Sequence, residues 1–376
     1  MFWNKKSPSC YTLRMKRKFW TAFASIEQLD STFVQRLYNY FEDIETAFNA
    51  TLSDLKQIEG LSIKKAENFI EKKKGVIPEN TLDFVLNKNI KILTYEDKNY
   101  PYMLRQIPNP PMTLFYKGDL FSCNLDRTVA FVGSRKASTN GKESVRKIIS
   151  DLKDTDLCVV SGLATGIDSV SHQSAIENNL KTIGVIASGL DFTYPSTNKY
   201  LYEKIEAESG AVVTEYYPTF EPTKFRFPQR NRIVTGLSYG TVVGEAAIKS
   251  GALISANLTL EQGRELMCIP GSIGKVNTEG IYKLLKDGAT MVTSGEDILN
   301  ALSWTIEREK ATKKELNLDD TAKLIYDMLL IEARGFDEIQ AQTGLDTEVL
   351  LVRLTEMELS GLIEQVEGDR YKAIKF

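Results

Sequence analysis

The stretch VAFVGSR, residues 129–135, is a short apolar run that ends directly in glycine, serine and arginine. Further apolar runs of strand length follow it, separated by segments long enough for a helix. This alternation is typical of an α/β domain with a mostly parallel sheet. The predicted strands are 129–132, 157–160, 182–186, 211–214, 240–243, 265–269 and 290–292. The sequence therefore predicts a doubly wound sheet over residues 126–302.

Small or polar residues follow several of these predicted strands. The turn Gly133-Ser134-Arg135 comes after the first strand, and Ser161-Gly162 comes after the second. Ligands bind at the carboxyl ends of parallel strands, because the loops there expose backbone N–H groups and helix N-termini. We therefore expect an anion site at this edge of the sheet, with Arg135 supplying charge and Ser161 a hydroxyl donor.

The segment PTKFRFPQRNRIVTGLSYGTVVG, residues 222–244, gathers positive charge and contains no acid. Phe225 and Phe227 alternate with its cations. Guanidinium groups bind phosphate oxygens in a bidentate fork, and aromatic rings stack on bases of any identity. This pattern favours a grip on single-stranded nucleic acid, the alternative being a loop that is solvated or paired with acids from elsewhere. The cations are Lys224, Arg226, Arg230 and Arg232.

Composition indicates an ordinary globular protein of two to four domains, with 376 residues, 42% hydrophobic and 26% charged. It has no apolar run long enough to span a membrane and no signal segment, so we expect a cytoplasmic protein. The four cysteines are scattered, and no metal-ligand spacing is visible. We predict neither a disulfide framework, a metal site nor a cofactor.

Charge is unevenly divided along the chain, whose net charge is −3. Residues 126–300 hold 19 cations and 20 acids, so any anion site there must be local. Residues 1–74 hold 13 cations and 9 acids, a balance of +4. Residues 319–376 hold 6 cations and 13 acids, a balance of −7. The two ends of the chain therefore differ in the partners that they can attract.

The segments before and after the predicted sheet are predicted to form separate domains. Residues 1–75 predict a helical domain of the helix-hairpin-helix or SAM type, in which Ser62 replaces a usual glycine, so a structural hairpin is favoured over a DNA contact. Residues 76–125 hold several prolines and predict a bridge into the core, which ends in an extended run at 114–118 closed by glycine. Residues 303–318 predict a linker, and 319–376 predict a winged helix.

The third helix of the predicted winged helix is acidic, with Arg353 as its one cation. A helix that reads duplex DNA needs cations, so we expect this domain to bind protein or to pack on its own chain. A duplex-DNA anchor is the alternative, which the negative balance opposes. The acids on this helix and just before it are Asp346, Glu348, Glu356 and Glu358.

Three further polar positions have candidate roles. Lys249, followed by the turn Ser250-Gly251, is a phosphate candidate. For Glu245 we favour an ion pair with Arg230 or Arg232, a general base being the alternative. His172, the single histidine, is expected to be packed or capping rather than catalytic.

With these segments in order, the chain resembles the DprA family, also called Smf, the bacterial DNA-processing proteins of natural transformation. The match is continuous over roughly residues 129–300. The matching segments are VAFVGSRKA, VVSGLATGIDSVSH, GLDFTYPSTN, FPQRNRIVTGLS, EAAIKSGALISA, ELMCIPGS and GATMVTSGEDIL.

The resemblance implies an extended Rossmann fold that binds and shields single-stranded DNA and loads the recombinase RecA onto it. Family members act as homodimers and are not known as enzymes. Carried onto this chain, the resemblance places the DNA pocket at the following residues: Gly133, Ser134, Arg135, Ser161, Gly162, Arg230, Asn231, Arg232, Lys249, Ser250 and Gly251.

The chain departs from the family pattern at three positions. Thr165 and Ser196 stand where basic residues occur in relatives, and Gly244 interrupts an apolar run. Lys199 and the 230–232 cluster are therefore expected to carry more of the binding. The competing hypothesis is a nucleotide-processing enzyme resembling the phosphoribohydrolases, with Glu245 as base, but their PGG-x-GT-x-x-E motif is poorly matched by GTVVGE at 240–245.

Overall fold

The chain divides into two compact units, Met1–Ile306 and Glu307–Phe376. A computed structural model describes residues 8–304, 319–360, 362–366, 368 and 370–373. The predicted linker falls, from residue 305 onward, outside the described residues. Among the described helices, none combines the length and the apolar character needed to cross a membrane.

One sheet of nine strands organises the described part of the first unit. The strands are β1 (Lys91–Thr94), β2 (Thr113–Gly118), β3 (Thr128–Val132), β4 (Cys158–Ser161), β5 (Lys181–Val185), β6 (Gly210–Thr214), β7 (Gly240–Val243), β8 (Glu265–Cys268) and β9 (Thr290–Met291). Their order is β1-β2-β6-β5-β4-β3-β7-β8-β9. All pairs from β6 to β9 are parallel. The seven strands predicted from periodicity are confirmed, as is the mostly parallel α/β fold class.

Residues 76–125 do more than the predicted bridge, because they extend the sheet. Strand β2 pairs antiparallel with both β1 and β6, and Phe115 lies opposite Thr214. Leu114 is buried in the same apolar cluster as Ala130 of β3. The extended run predicted at 114–118 is therefore a strand of the core, and β1, which the sequence did not reveal, pairs with it.

Helices cover both faces of the sheet. Val145 and Val170 lie in the apolar cluster on one face, whereas Ile233 and Ala256 lie in the cluster on the other. The helices of this unit are α1 (Pro8–Ser25), α2 (Ser31–Phe41), α3 (Ile44–Asn49), α4 (Leu52–Leu55), α5 (Ile63–Lys73), α6 (Pro78–Asn87), α7 (Tyr102–Arg105), α8 (Thr139–Ser150), α9 (Ile167–Glu177), α10 (Lys199–Lys204), α11 (Arg226–Gly236), α12 (Gly251–Glu261), α13 (Val276–Lys286) and α14 (Gly295–Ala301). Short 3-10 turns lie at Leu120–Ser122 and Ser196–Asn198, and a π-helical turn at Ile205–Ser209.

The N-terminal helices have an aromatic core of their own. Trp20, Phe23 and Phe69 are almost completely buried there, and the rings of Phe23 and Phe69 stack with centroids 5.3 Å apart. Ser62 caps α5 by accepting a hydrogen bond from the backbone N–H of Lys65 at 3.5 Å. The residue that departs from the phosphate-binding hairpin pattern thus has a structural task.

The second unit has the winged-helix arrangement that the sequence predicts. Its elements are α15 (Asp320–Ile331), β10 (Arg334–Gly335), α16 (Phe336–Thr343), α17 (Thr347–Leu359), β11 (Ile363–Val366) and β12 (Arg370–Ala373). The strand β10, which sequence periodicity did not reveal, joins the two wing strands in the order β10-β12-β11. Arg353 of α17 pairs with Asp319 and Glu356, so the one cation of this helix is already neutralised.

Candidate nucleic-acid interface

The strand order reverses between β3 and β7. From β3 the chain adds β4, β5 and β6 on one side, and from β7 it adds β8 and β9 on the other. The loops that leave the carboxyl ends of β3 and β7 therefore diverge and leave a crevice between them. Such a switch point is where ligands bind in open α/β sheets.

A groove of about 750 Å³ occupies this crevice. Its walls come from the loops after β3 and β4, from the side of α11 and from the start of α12. Eight of the twelve residues predicted from sequence line it together. They are Gly133, Ser134, Arg135, Gly162, Arg230, Asn231, Ser250 and Gly251.

Arg135 carries the exposed positive charge of the β3 loop. Its guanidinium carbon lies 5.0 Å from the ring centroid of Phe227, which in turn lies 5.5 Å from the ring of Tyr194. In the described part of the chain Arg135 makes no ion pair. The guanidinium is thus held over an aromatic face, with its donors open to a phosphate.

The first turn of α12 provides the second anion-binding element. Ser250 precedes the helix without capping it, and its buried hydroxyl has no hydrogen-bond partner among the described atoms. The first backbone N–H groups of a helix lack intrahelical partners and favour an anion. A Cβ added at Gly251 would meet nothing within 4 Å, so a ligand can approach the backbone there closely.

Arg230 lies in the groove wall, but most of its guanidinium is buried, with 4% of the residue exposed. Its Nη1 donates to the carbonyl oxygens of Gly162, at 2.5 Å, and Val185. Burial lowers the pKa of Arg230, and the charge of buried Asp168 opposes that shift. A Cβ at Gly162 would lie 2.7 Å from this guanidinium, so a larger residue there would displace the end of the Arg230 side chain. Arg230 ties α11 to the ends of β4 and β5, a larger structural role than the predicted phosphate contact.

Arg232 was predicted to share the pocket, and the structure places it elsewhere. It projects from the other side of α11 and makes a bidentate ion pair with Glu215, with N–O distances of 2.6 and 3.0 Å. It also donates to the hydroxyl of Ser31 at the start of α2. The alternative weighed for this segment, pairing with acids from elsewhere, is correct for Arg232.

Three other predicted contacts also lie outside the groove. Ser161 is fully buried and donates its hydroxyl hydrogen to the carbonyl of Phe131 at 2.6 Å, so it has none to offer a ligand. Lys199 is exposed on α10, 3.7 Å from Glu203. Lys249 is exposed beside the groove without lining it.

The backbone N–H of Ser134 is also unavailable to an anion, because it donates to the carbonyl of Glu245 at 2.8 Å.

Glu245 takes a role that differs from the predicted ion pair. Glu245 makes no ion pair with Arg230 or Arg232, and its carboxylate accepts hydrogen bonds from Ser138 and Asn277 instead. Glu245 is 4% exposed and its carboxylate is already hydrogen-bonded, which disfavours a general base.

His172 is packed as expected, with Nδ1 2.7 Å from the Thr182 hydroxyl. Burial lowers the pKa of His172 to about 3.

Sequence reasoning missed several groove residues. Lys136 follows Arg135 directly and could have been chosen by adjacency, and Tyr194 lies in the YPSTN segment. Lys224 and Phe227, by contrast, were named in the predicted cationic and aromatic stretch, and both line the groove. Asn277 reaches the groove from the first turn of α13, and no local signal marks it.

Two family models match the chain. The model described as DNA recombination-mediator protein A covers residues 91–303. The model described as DprA winged helix domain covers residues 309–369. The first match contains the whole groove, and the second agrees with the fold of the second unit.

Named relatives and solved structures agree with these models. The protein Smf of Synechocystis is 31% identical, covering 95% of this chain and 98% of that protein. The DNA processing protein DprA of Streptococcus pneumoniae is 45% identical over 54% of this chain and 71% of its own length. Its crystal structure superposes with a TM-score of 0.67 at 37% identity, covering 75% of this chain and 97% of that one. A Helicobacter pylori DNA processing protein A, whose structure concerns a single-stranded DNA binding mode, has a TM-score of 0.51 at 28% identity, covering 57% of this chain and 95% of that chain.

Proposed function

The chain belongs to the DNA recombination-mediator protein A family, and from this we propose that it captures single-stranded DNA in the switch-point groove. The bound strand is shielded there and passed to RecA during natural transformation. The resemblance to DNA processing proteins supports the role of mediator, and the Helicobacter pylori relative supports single strands as the ligand.

The observation that carries the proposal is the combination of unpaired cations and aromatic rings along one groove. Arg135, Lys136 and Lys224 line it, and within the described residues none of them pairs with an acid. Phe227 and Tyr194 add ring faces, and Tyr194 is 48% exposed. Cations that follow a backbone, together with rings that accept any base, are what a single strand requires.

Duplex DNA is a poorer ligand for this arrangement. Stacking on a protein ring needs an unpaired base, whereas the bases of a duplex are stacked on each other. The positive charge is local, because residues 126–300 hold 19 cations and 20 acids. Helix α17 of the second unit offers a duplex little free positive charge, since its one cation, Arg353, is paired with Asp319 and Glu356. We therefore assign strand capture to the groove alone.

Several finer assignments belong to the same proposal. The protein acts as a homodimer in the cytoplasm, hands the strand to RecA through a protein surface, and performs no reaction on DNA or nucleotides. The engagement of Glu245 by Ser138 and Asn277 supports the last point, because it occupies the carboxylate that the sequence suggested as a base. Free base released from nucleoside monophosphates would contradict it.

The decisive experiment compares single-stranded and duplex oligonucleotides of equal length by fluorescence anisotropy over a range of salt concentrations, then repeats the measurement with RecA. We expect preference for the single strand, with log affinity falling by about 0.7 per phosphate contact for each unit of log salt. RecA should displace the protein while itself becoming DNA-bound. Equal binding of both DNA forms would overturn the proposal.

A further inference from the structure

We propose that Glu245 is a positioning residue for DNA binding, which holds the loop carrying Arg135 and Lys136 in the shape that presents both cations to the groove. This inference rests on the function proposed above. It concerns an acidic side chain that never needs to touch the strand.

Glu245 holds the loop at both ends. Its backbone carbonyl accepts the N–H of Ser134 at 2.8 Å, at the start of the loop. Its carboxylate accepts the N–H of Ser138 at 2.9 Å and also the Ser138 hydroxyl, at the end of the loop. Arg135 and Lys136 lie between these two attachment points.

Asn277 adds a third attachment in the middle. Its side-chain amide donates to the carbonyl of Lys136 at 3.0 Å and to the carboxylate of Glu245 at 3.4 Å. The backbone carbonyl of Asn277 accepts the N–H of Ala246 at 2.8 Å, which fixes Asn277 to the same loop as Glu245. Residues from the loops after β3 and β7 and from the first turn of α13 thus form one hydrogen-bonded unit with the segment that carries the two cations.

The packing leaves Glu245 little freedom. A Cβ at Gly141 would lie 2.4 Å from the carboxyl carbon of Glu245, so α8 can approach the carboxylate only through a glycine. The carboxylate also lies at the N-terminus of α8, where a negative charge is favourable. The β3 loop is held from the opposite side as well, since Ile167 donates its N–H to the carbonyl of Ser134 at 3.2 Å.

A buried acid beside an anion site needs a reason, because its charge opposes the ligand and its burial is costly. Glutamine in the same place would be cheaper, but its amide has one accepting oxygen, and its NH₂ group would face the donors of Ser138. A carboxylate can accept from Ser138 N–H, Ser138 Oγ and Asn277 at once. Fixing the loop therefore explains why an acid is used here.

The test measures single-stranded DNA affinity for Glu245→Ala, Glu245→Gln, Asn277→Ala, Arg135→Ala and the double variant Arg135→Ala/Glu245→Ala. Glu245→Ala should lose at least as much affinity as Arg135→Ala, roughly tenfold. In the Arg135→Ala background it should cost less, about threefold, because only Lys136 remains of the two cations that it positions. Glu245→Gln should recover part of the loss through its one accepting oxygen.

The matched control is Thr128→Val, which removes a buried hydrogen bond to Leu237 at the opposite end of β3. It should lower the melting temperature while leaving affinity and salt slope unchanged. Should Glu245→Ala fail to fold, Asn277→Ala tests the same loop from a partly exposed position. Full additivity of the double variant, or wild-type affinity in both Glu245→Ala and Asn277→Ala, would overturn the inference. If wild type and Thr128→Val bind no single-stranded DNA, it is the proposed function that fails.

Discussion

The two sides of helix α11 carry similar side chains in the sequence and face different surroundings in the structure. On one side, Phe227 and Asn231 line the groove, and Lys224 extends this wall before the helix begins. On the other side, Arg232 is paired with Glu215, and nearby Arg226 is paired with Glu27. A cation is available to a ligand only where the fold provides no acid for it.

Helix α11 is also attached to the N-terminal helices. Arg226 pairs with Glu27, and Arg232 donates a hydrogen bond to Ser31 at the start of α2. The N-terminal helices are therefore attached to the helix that forms the groove wall. Arg226 is further held between the rings of Tyr216 and Phe220, each 5.0 Å away. One side of α11 therefore fixes the position from which the other side can act.

The largest loss of stability and of DNA affinity is expected at Arg230, which lines the groove and also holds α11 to the strand ends. Arg230→Ala removes the donors to Gly162 and Val185 and leaves Asp168 buried without its compensating charge. Leaving two buried carbonyl oxygens without their charged donor costs about 2–6 kcal/mol of unfolding free energy. Chemical denaturation and DNA titration should both report the defect. A stable variant with weakened binding would instead show that Arg230 acts purely as a ligand contact.

Arg232→Ala should separate stability from binding. The Arg232–Glu215 pair is mostly buried, with 14% and 13% of the side chains exposed, so its loss should cost about 3 kcal/mol of unfolding free energy. DNA affinity, measured well below the melting temperature, should stay within about twofold of wild type, because no groove contact is removed. A drop in salt slope would place Arg232 in the DNA site after all.

Arg135→Ala should show the reverse behaviour. The side chain is exposed and unpaired with acids in the described chain, so the melting temperature should hardly change. Affinity for single-stranded DNA should fall by about tenfold, or about 1.4 kcal/mol, and the salt slope by about 0.7. Arg135→Lys should retain the salt slope but lose the planar stacking on Phe227. Unchanged affinity and salt slope in Arg135→Ala would show that the groove is not the DNA site.

Much of the fold was predictable from periodicity, because buried parallel strands leave apolar runs separated by helix-length segments. The predicted strand 240–243 coincides with β7, and the other six differ only at their ends. Strand β1 was missed because it is short and antiparallel, whereas β2 was predicted as an extended run without its place in the sheet. The site was predictable where chemistry follows a strand directly, as at Arg135 and Gly162.

The remaining site residues depend on tertiary contacts that local sequence does not encode. Arg230 and Arg232 are two positions apart, yet one contacts strand ends and the other contacts Glu215. Which of them faces the groove is decided by the rotation of α11. Ser161 is a hydroxyl at a strand end, as a ligand donor should be, but its neighbour Phe131 supplies the acceptor. A hydroxyl group at the end of a strand is therefore not always free to donate to a ligand.

The smallest effect is expected from changing pH between 6 and 8, and it tests whether the groove depends on fixed charges alone. Its cations are arginine and lysine, which stay protonated over this range. The single histidine cannot contribute, because burial lowers the pKa of His172 to about 3 and keeps the ring neutral throughout. Affinity of the wild-type protein for single-stranded DNA at constant ionic strength should therefore be flat from pH 6 to 8, and His172→Gln should give the same flat profile. A rise in affinity toward pH 6 that disappears in His172→Gln would mean that the histidine becomes charged near the strand, contrary to its burial against Thr182.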